Sequence, residues 1–215
     1  MMDHRAAMIR RLFALTVSIA LASCVGVSDT TQYYALDRAA DSKSTAGRAS
    51  PSISSSPRAG ATGVTIGVGP VIIPAYLDRL EIVTRTAADR VEISMFHRWA
   101  EPLADSIART LAEEIAVGVP TERILAFPWR GVVGRTIQYQ VVVAVVRFDG
   151  RPGGDVTLDT RWRILGRDGD ELLFKRSTMV EAATGPGYEP MVAAMNRALV
   201  SLGREIASEI QGMPR

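Results

Sequence analysis

The chain contains one cysteine, Cys24, and every structural solution that needs a second thiol is closed to it. A single sulfur cannot form an intrachain disulfide, a Cys-X-X-Cys redox pair or a thiolate zinc site, so the domain must be held by packing and hydrogen bonding. Material for that is present. Over 215 residues, 47% are hydrophobic and 22% charged, ordinary globular proportions at a length that suits one domain. The position of the cysteine adds more. It closes an apolar run, Leu12 to Leu21, that follows Arg5, Arg10 and Arg11. A run of about ten residues fits the hydrophobic region of an export signal and falls short of the roughly 20 that span a bilayer.

The sequence Leu21-Ala22-Ser23-Cys24 resembles a bacterial lipobox. That resemblance implies a signal peptide over residues 1–23, cleavage between Ser23 and Cys24, and lipidation of Cys24. Several acyl chains on one residue anchor a protein stably with no transmembrane helix. Residues 24–31 then form the tether; at about 3.3 to 3.6 Å per extended residue, Val25 to Thr31 reach only about 25 Å. Cleavage also changes the charge. It removes Arg5, Arg10, Arg11 and Asp3 from a chain with 25 basic and 23 acidic side chains, leaving the two signs balanced. A balanced chain lacks the basic footprint that nucleic acid requires, so no nucleic-acid partner is expected.

Beyond the tether, Gln32-Tyr-Tyr-Ala-Leu36 reads as an aromatic-rich strand, and residues 37–62, rich in Ser, Ala, Gly and Arg, read as a flexible insertion. If Tyr33 and Tyr34 pair into a sheet, the domain covers 32–212; if they do not, it begins near Gly63. Strands are expected at Val64–Val68, ended by Gly69-Pro70, and in a hairpin over 81–85 and 90–95. Trp99, Leu103, Ile107, Leu111 and Ile115 recur every four residues and predict a helix ended by Gly118-Val119-Pro120, with Arg109, Glu113 and Glu114 outward. A short strand over 123–127 precedes Ile137–Phe148, apolar on both faces in its middle and so expected at the centre of a sheet. Val156 to Ile164 alternates apolar with polar residues, Asp168-Gly169 turns the chain, and Leu172–Val180 returns. Met191, Met195, Leu199, Leu202, Ile206 and Ile210 then mark a second amphipathic helix. The expected class is α+β: a two-layer sandwich of a mostly antiparallel sheet with two amphipathic helices packed on one face.

Motifs for chemistry are sparse. Downstream of Cys24 there is one histidine, His97, and no G-x-S-x-G accompanies it, so His97 reads as structural or solvated rather than as part of a triad. Gly67-Val68-Gly69 lacks the third glycine of a dinucleotide loop, no G-x-x-x-x-G-K-[ST] occurs, and the Glu113–Glu114 pair reads as a solvated helix face. No cofactor, metal or catalytic residue is expected.

Seven strings carry a family likeness: Tyr33–Leu36, Ile66–Val71, Pro74–Arg79, Ile82–Arg85, Arg98–Leu103, Phe127–Trp129 and Tyr139–Val141. In this order they resemble the ABC-type transport auxiliary lipoproteins, the PqiC-like, paraquat-inducible family. The resemblance implies a non-enzymatic, membrane-integrity-associated subunit beside a mammalian-cell-entry (MCE) type transporter. It would work with an MCE-domain periplasmic protein, its permease and its ATPase, assisting transfer of phospholipids or other hydrophobic molecules between membranes. It further implies association into rings of like subunits. Val25, where aspartate would favour inner-membrane retention, points to an outer-membrane lipoprotein facing the periplasm. Candidate partner contacts are Tyr76, Asp78, Arg79, Phe127 and Trp129, because aromatic and arginine side chains are enriched in binding hot spots. The alternative is that Tyr76 and Trp129 cap the ends of the core. At the level of function the alternative is a general outer-membrane assembly or chaperone lipoprotein without lipid transport.

Overall fold

The computed structural model describes residues 30–37, 62–129 and 131–213. The expected signal peptide, the Ser23–Cys24 cleavage point and most of the 37–62 insertion lie outside these residues. Among the described residues, eight strands and two helices follow in the order β1 (Gln32–Tyr34), β2 (Thr62–Ile72), β3 (Glu81–Ala87), β4 (Arg90–Trp99), α1 (Leu103–Gly118), β5 (Thr121–Ala126), β6 (Tyr139–Gly150), β7 (Asp155–Leu165), β8 (Glu171–Ala182) and α2 (Tyr188–Gln211). A 3₁₀ turn over Gly131–Thr136 leads into β6.

The class is α+β, as the patterning implies, with the strands divided between two sheets. Five strands run in the order β5-β2-β6-β7-β8, and three in the order β1-β4-β3. The long β6–β7 and β7–β8 ladders are antiparallel, whereas β2 pairs in parallel with both β5 and β6, and β1 in parallel with β4. Both sheets are therefore mixed. Tyr33 and Tyr34 do pair, opposite Arg98 and Trp99. The segment is then latched to α1: Leu36 is fully buried, and its carbonyl accepts from Thr110 Oγ1 and Arg109 Nη2, each at 3.1 Å.

Both helices contribute to one apolar cluster with the five-stranded sheet. Ile107, Leu111 and Ile115 of α1 and Met191, Met195, Leu199, Leu202 and Ile206 of α2 meet Ile66, Val68, Val141, Val143, Leu158, Trp162 and Ile164. The three- and four-residue spacing of the helices and the alternation of β7 put these side chains on facing surfaces. Trp162, the largest, donates its Nε1–H to Ser177 Oγ at 2.9 Å, and Ser177 donates to Glu205 Oε1 at 3.0 Å, so a polar thread ties β7 and β8 to α2.

Three local expectations are corrected. Glu114 is buried rather than solvated, because α1 and α2 approach closely at Gly203, where a Cβ would fall 2.6 Å from the Glu114 Cβ. Trp99 is buried as the last residue of β4, not as the first turn of α1; Pro102 occupies the N-cap of that helix. And β2 does not end at Gly69-Pro70. It runs on to Ile72 with a register shift between Val68 and Val71, the proline having no N–H to give the ladder.

Candidate functional site

The strand expected at the centre of the sheet carries one residue that breaks its apolar run, and the geometry of the candidate site begins there. In β6, Val145 pairs with Thr160, but the next pair is Arg147 with Asp159, so Val146 is an extra, bulged residue. The bulge turns Arg147 and Asp149 to the face opposite the helices, while Phe148, paired with Leu158, stays in the core. Asp149 is fully buried there. Burial of a carboxylate is costly unless it is paired and hydrogen-bonded, and Asp149 is both. Arg85 of β3 donates from Nε to Oδ1 at 2.9 Å and from Nη2 to Oδ2 at 2.8 Å; Arg147 Nε donates to Oδ1 at 2.7 Å. Burial pushes the Asp149 carboxyl up, but the bonds and charges of Arg85 and Arg147 outweigh it and hold the group below its ordinary value.

The fourth donor comes from the loop after β2. Pro74–Arg79 turns tightly, with the Leu77 N–H donating to the Pro74 carbonyl at 2.9 Å and Leu77 anchored in the core. Tyr76, half-buried against the core, donates its hydroxyl to Asp149 Oδ2 at 3.2 Å. Burial, followed by the Asp149 charge, raises the Tyr76 phenol above its usual range, so it stays a donor. Tyr76 thus pins this loop to β6 and, through Asp149, to Arg85 of the small sheet. Asp78 is exposed at the end of the loop. Arg79 is half-buried, and its Nε is sealed from solvent with no acceptor among the described residues.

Phe127 and Trp129 form a separate corner. The Phe127 N–H donates to the Val68 carbonyl at 2.8 Å, and its ring meets Trp129 edge-on at 5.3 Å. Trp129 lies against two glycines: a Cβ on Gly67 or on Gly134 would each sit 2.9 Å from its ring. Gly69 has φ 118 and would clash with the Phe127 Cβ at 2.5 Å. The Gly67-Val68-Gly69 sequence therefore accommodates aromatic rings, which accounts for glycines that hold no phosphate loop. Phe127 remains 42% exposed.

The candidates do not converge. Gly67, beneath Trp129, pairs with Gln140, whereas Tyr76 reaches Asp149, nine residues further along β6 and about 30 Å away by strand rise. Sequence reasoning missed Asp149 and Arg147; the signal was a carboxylate directly after a run of strand apolars, which must find cations if it is buried. His97 takes a structural place. Its Nδ1 lies 2.9 Å from the Tyr34 hydroxyl and its ring stacks on Tyr188 with centroids 3.7 Å apart, linking β1, β4 and α2.

Among the described residues no helix is long and apolar enough to cross a membrane. In sequence the chain is similar to the intermembrane transport lipoprotein PqiC of Escherichia coli (strain K12), 28% identical over 145 residues, which is 67% of this chain and 73% of that protein. The Shigella flexneri protein of the same name is likewise 28% identical over 145 residues. Two crystal structures share the fold: an uncharacterized protein with TM-score 0.63 at 20% identity, covering 84% of this chain and 99% of that one, and a Xanthomonas campestris protein with TM-score 0.56 at 14% identity, covering 69% and 88%. The model of the ABC-type transport auxiliary lipoprotein component matches residues 48–207, a stretch that includes the whole of β2 through β8, α1 and most of α2. With that much of its length matched, the chain belongs to the ABC-type transport auxiliary lipoprotein family.

Proposed function

We propose that this chain is a non-enzymatic outer-membrane lipoprotein of an MCE-type ABC transport system, facing the periplasm. In this reading residues 1–23 are cleaved as a signal peptide, Cys24 is lipidated, 24–31 tether the protein, and 32–212 are its single working domain. The domain docks the MCE-domain periplasmic protein, which is served by its own permease and ATPase, and assists the passage of phospholipid or another hydrophobic molecule between membranes. Rings of like subunits around the partner's end fit the same role. The observation that carries the reading is the family match across 48–207, supported by the similarity to a protein named for intermembrane transport.

Docking is best placed on the loop and the corner that reach the surface. Asp78 is exposed beside half-buried Arg79, and Phe127 offers an exposed ring on a fixed corner. Tyr76 and Trp129 stand behind them as supports. Replacing Asp78 and Arg79 together by alanine, and Phe127 by alanine separately, should each reduce copurification of the MCE-domain protein while leaving the unfolding midpoint in place. Undiminished copurification with both variants would remove the assignment. Copurification of a barrel protein without any MCE component would favour the assembly or chaperone role instead.

A further inference from the structure

Between the tips of two hairpins from different sheets, the β3–β4 turn and the β6–β7 turn, lies an open cleft of about 310 Å³. That is near the lower end for small-molecule sites. Its charged lining is Arg85, Arg147, Arg151 and Asp155, with Thr86 and Thr157 between them. Asp149 lies beneath, bonded to two of the three guanidinium groups, so three positive and two negative charges leave the cleft with an excess of one positive.

The donors are unequally engaged. Every nitrogen of Arg85 is engaged: Nε and Nη2 go to Asp149 and Nη1 donates to the Ala88 carbonyl at 2.8 Å. It is a fixed wall. Arg147 gives Asp149 only its Nε, which orients the guanidinium and leaves both terminal nitrogens without a partner among the described residues. The Arg151 guanidinium makes no hydrogen bond or ion pair among the described residues, although its backbone carbonyl accepts from the Gly154 N–H at 3.0 Å, and its stem lies over Gly154, where a Cβ would fall 2.6 Å from the Arg151 Nε. Asp149 itself is fully buried and cannot oppose an incoming anion by contact. Two cationic forks, one held in place and one free, therefore face one cleft beside threonine hydroxyls. A carboxylate, with two oxygens, is satisfied by a single fork; a phosphate has oxygens for both.

We propose that this cleft binds a phosphate group, held by the terminal nitrogens of Arg147 and by the guanidinium of Arg151. The inference rests on this geometry and not on the identity of the transporter partner, because a phospholipid headgroup and a soluble phosphate ester present the same chemistry.

The test is calorimetric titration of the full-length purified protein at low salt with inorganic phosphate, glycerol phosphate, acetate, and a short-chain phosphatidic acid kept below its micelle-forming concentration. Saturable binding of at least one phosphate-bearing probe at about millimolar concentration or tighter is expected. Arg151→Gln and Arg147→Gln should each weaken it about tenfold or more, with no change from Arg204→Gln on the exposed face of α2. The Arg151 side chain has no partner among the described residues to lose, so Arg151→Gln should keep the wild-type unfolding midpoint and separates binding from folding. Preference for the phosphatidic acid over the soluble probes assigns the site to a headgroup; the reverse assigns it to a soluble ester. No saturable binding of any phosphate probe, acetate binding as tightly as phosphate, or equal weakening by Arg204→Gln overturns the proposal.

Discussion

Replacing Asp149 by asparagine keeps the shape of the side chain and removes its charge, which isolates what the buried carboxylate does for the fold. In the wild type one oxygen receives Arg85 Nε and Arg147 Nε, and the other receives Arg85 Nη2 and the Tyr76 hydroxyl. In the variant one of these oxygens becomes an amide that can only donate, so it faces donors with nothing to offer them. Breaking a buried pair costs about 3 to 5 kcal/mol. Arg147 is 39% exposed and Arg85 19%, so part of their charge is returned to water, and the lower end, about 3 kcal/mol, is expected. For a domain of this size that is a fall of about 6 to 12 °C in the unfolding midpoint. The pH dependence has a definite sign. The Asp149 carboxyl titrates below its ordinary value in the folded state, so its stabilisation is complete above the unfolded value of about 3.9 and is lost as pH falls through the lower folded value. Urea unfolding followed by tryptophan fluorescence, to which buried Trp99 and Trp162 contribute, measures both effects. The gap between wild type and variant should be full at pH 7 and shrink on acidification below about pH 4. A loss under about 1 kcal/mol at neutral pH, or a gap that widens in acid, would refute the assignment of Asp149 as an ionised clasp between the sheets.

Two further perturbations probe the packing and the histidine. In Gly203→Ala, helix propensity alone promises a gain of about 1 kcal/mol. A Cβ placed 2.6 Å from the Glu114 Cβ, however, joins two helix backbones that rotamers cannot separate, and overpacking of about 1 to 3 kcal/mol wins, so net destabilisation is expected in a thermal melt. A more stable variant would mean that α1 and α2 are not so closely apposed. His97→Ala should cost about 1 to 2 kcal/mol through the lost stack on Tyr188 and the lost bond to Tyr34. It should still complement a deletion strain in an envelope-permeability assay, whereas loss of complementation by a folded, correctly abundant variant would reopen a catalytic role.

Much of the fold was legible because its signals are local. The stripe Met191 to Ile210 is buried position by position in α2, and the alternation from Val156 to Ile164 places each apolar residue inward in β7. Parallel pairings were not legible. Nothing within Thr62–Ile72 announces that its neighbours are β5 and β6, since such partners are fixed by loops and long-range packing rather than by the strand's own pattern. Glu114 failed for a related reason: its environment is decided by a glycine 89 positions away in the chain, beyond the reach of helical periodicity. Proline at 70 read as a strand end because a bulge that absorbs it leaves no mark other than the adjacent glycine. In the candidate site, the Pro74–Arg79 loop and the Phe127–Trp129 corner stood out as aromatic and arginine-rich strings, but their separation along β6 required the sheet register. Asp149 was visible only as an anomaly at the end of an apolar run.

The proposed place of this domain, beside an MCE-type transporter at the outer membrane, is tested by crosslinking the acylated protein in its native envelope, capturing it through a C-terminal tag and identifying its partners by mass spectrometry. An MCE-domain periplasmic protein together with its permease or ATPase is expected, in a fraction that cosediments with the outer membrane. Recovery of a barrel protein or a peptidoglycan enzyme with no MCE component, or fractionation with the inner membrane, would contradict it.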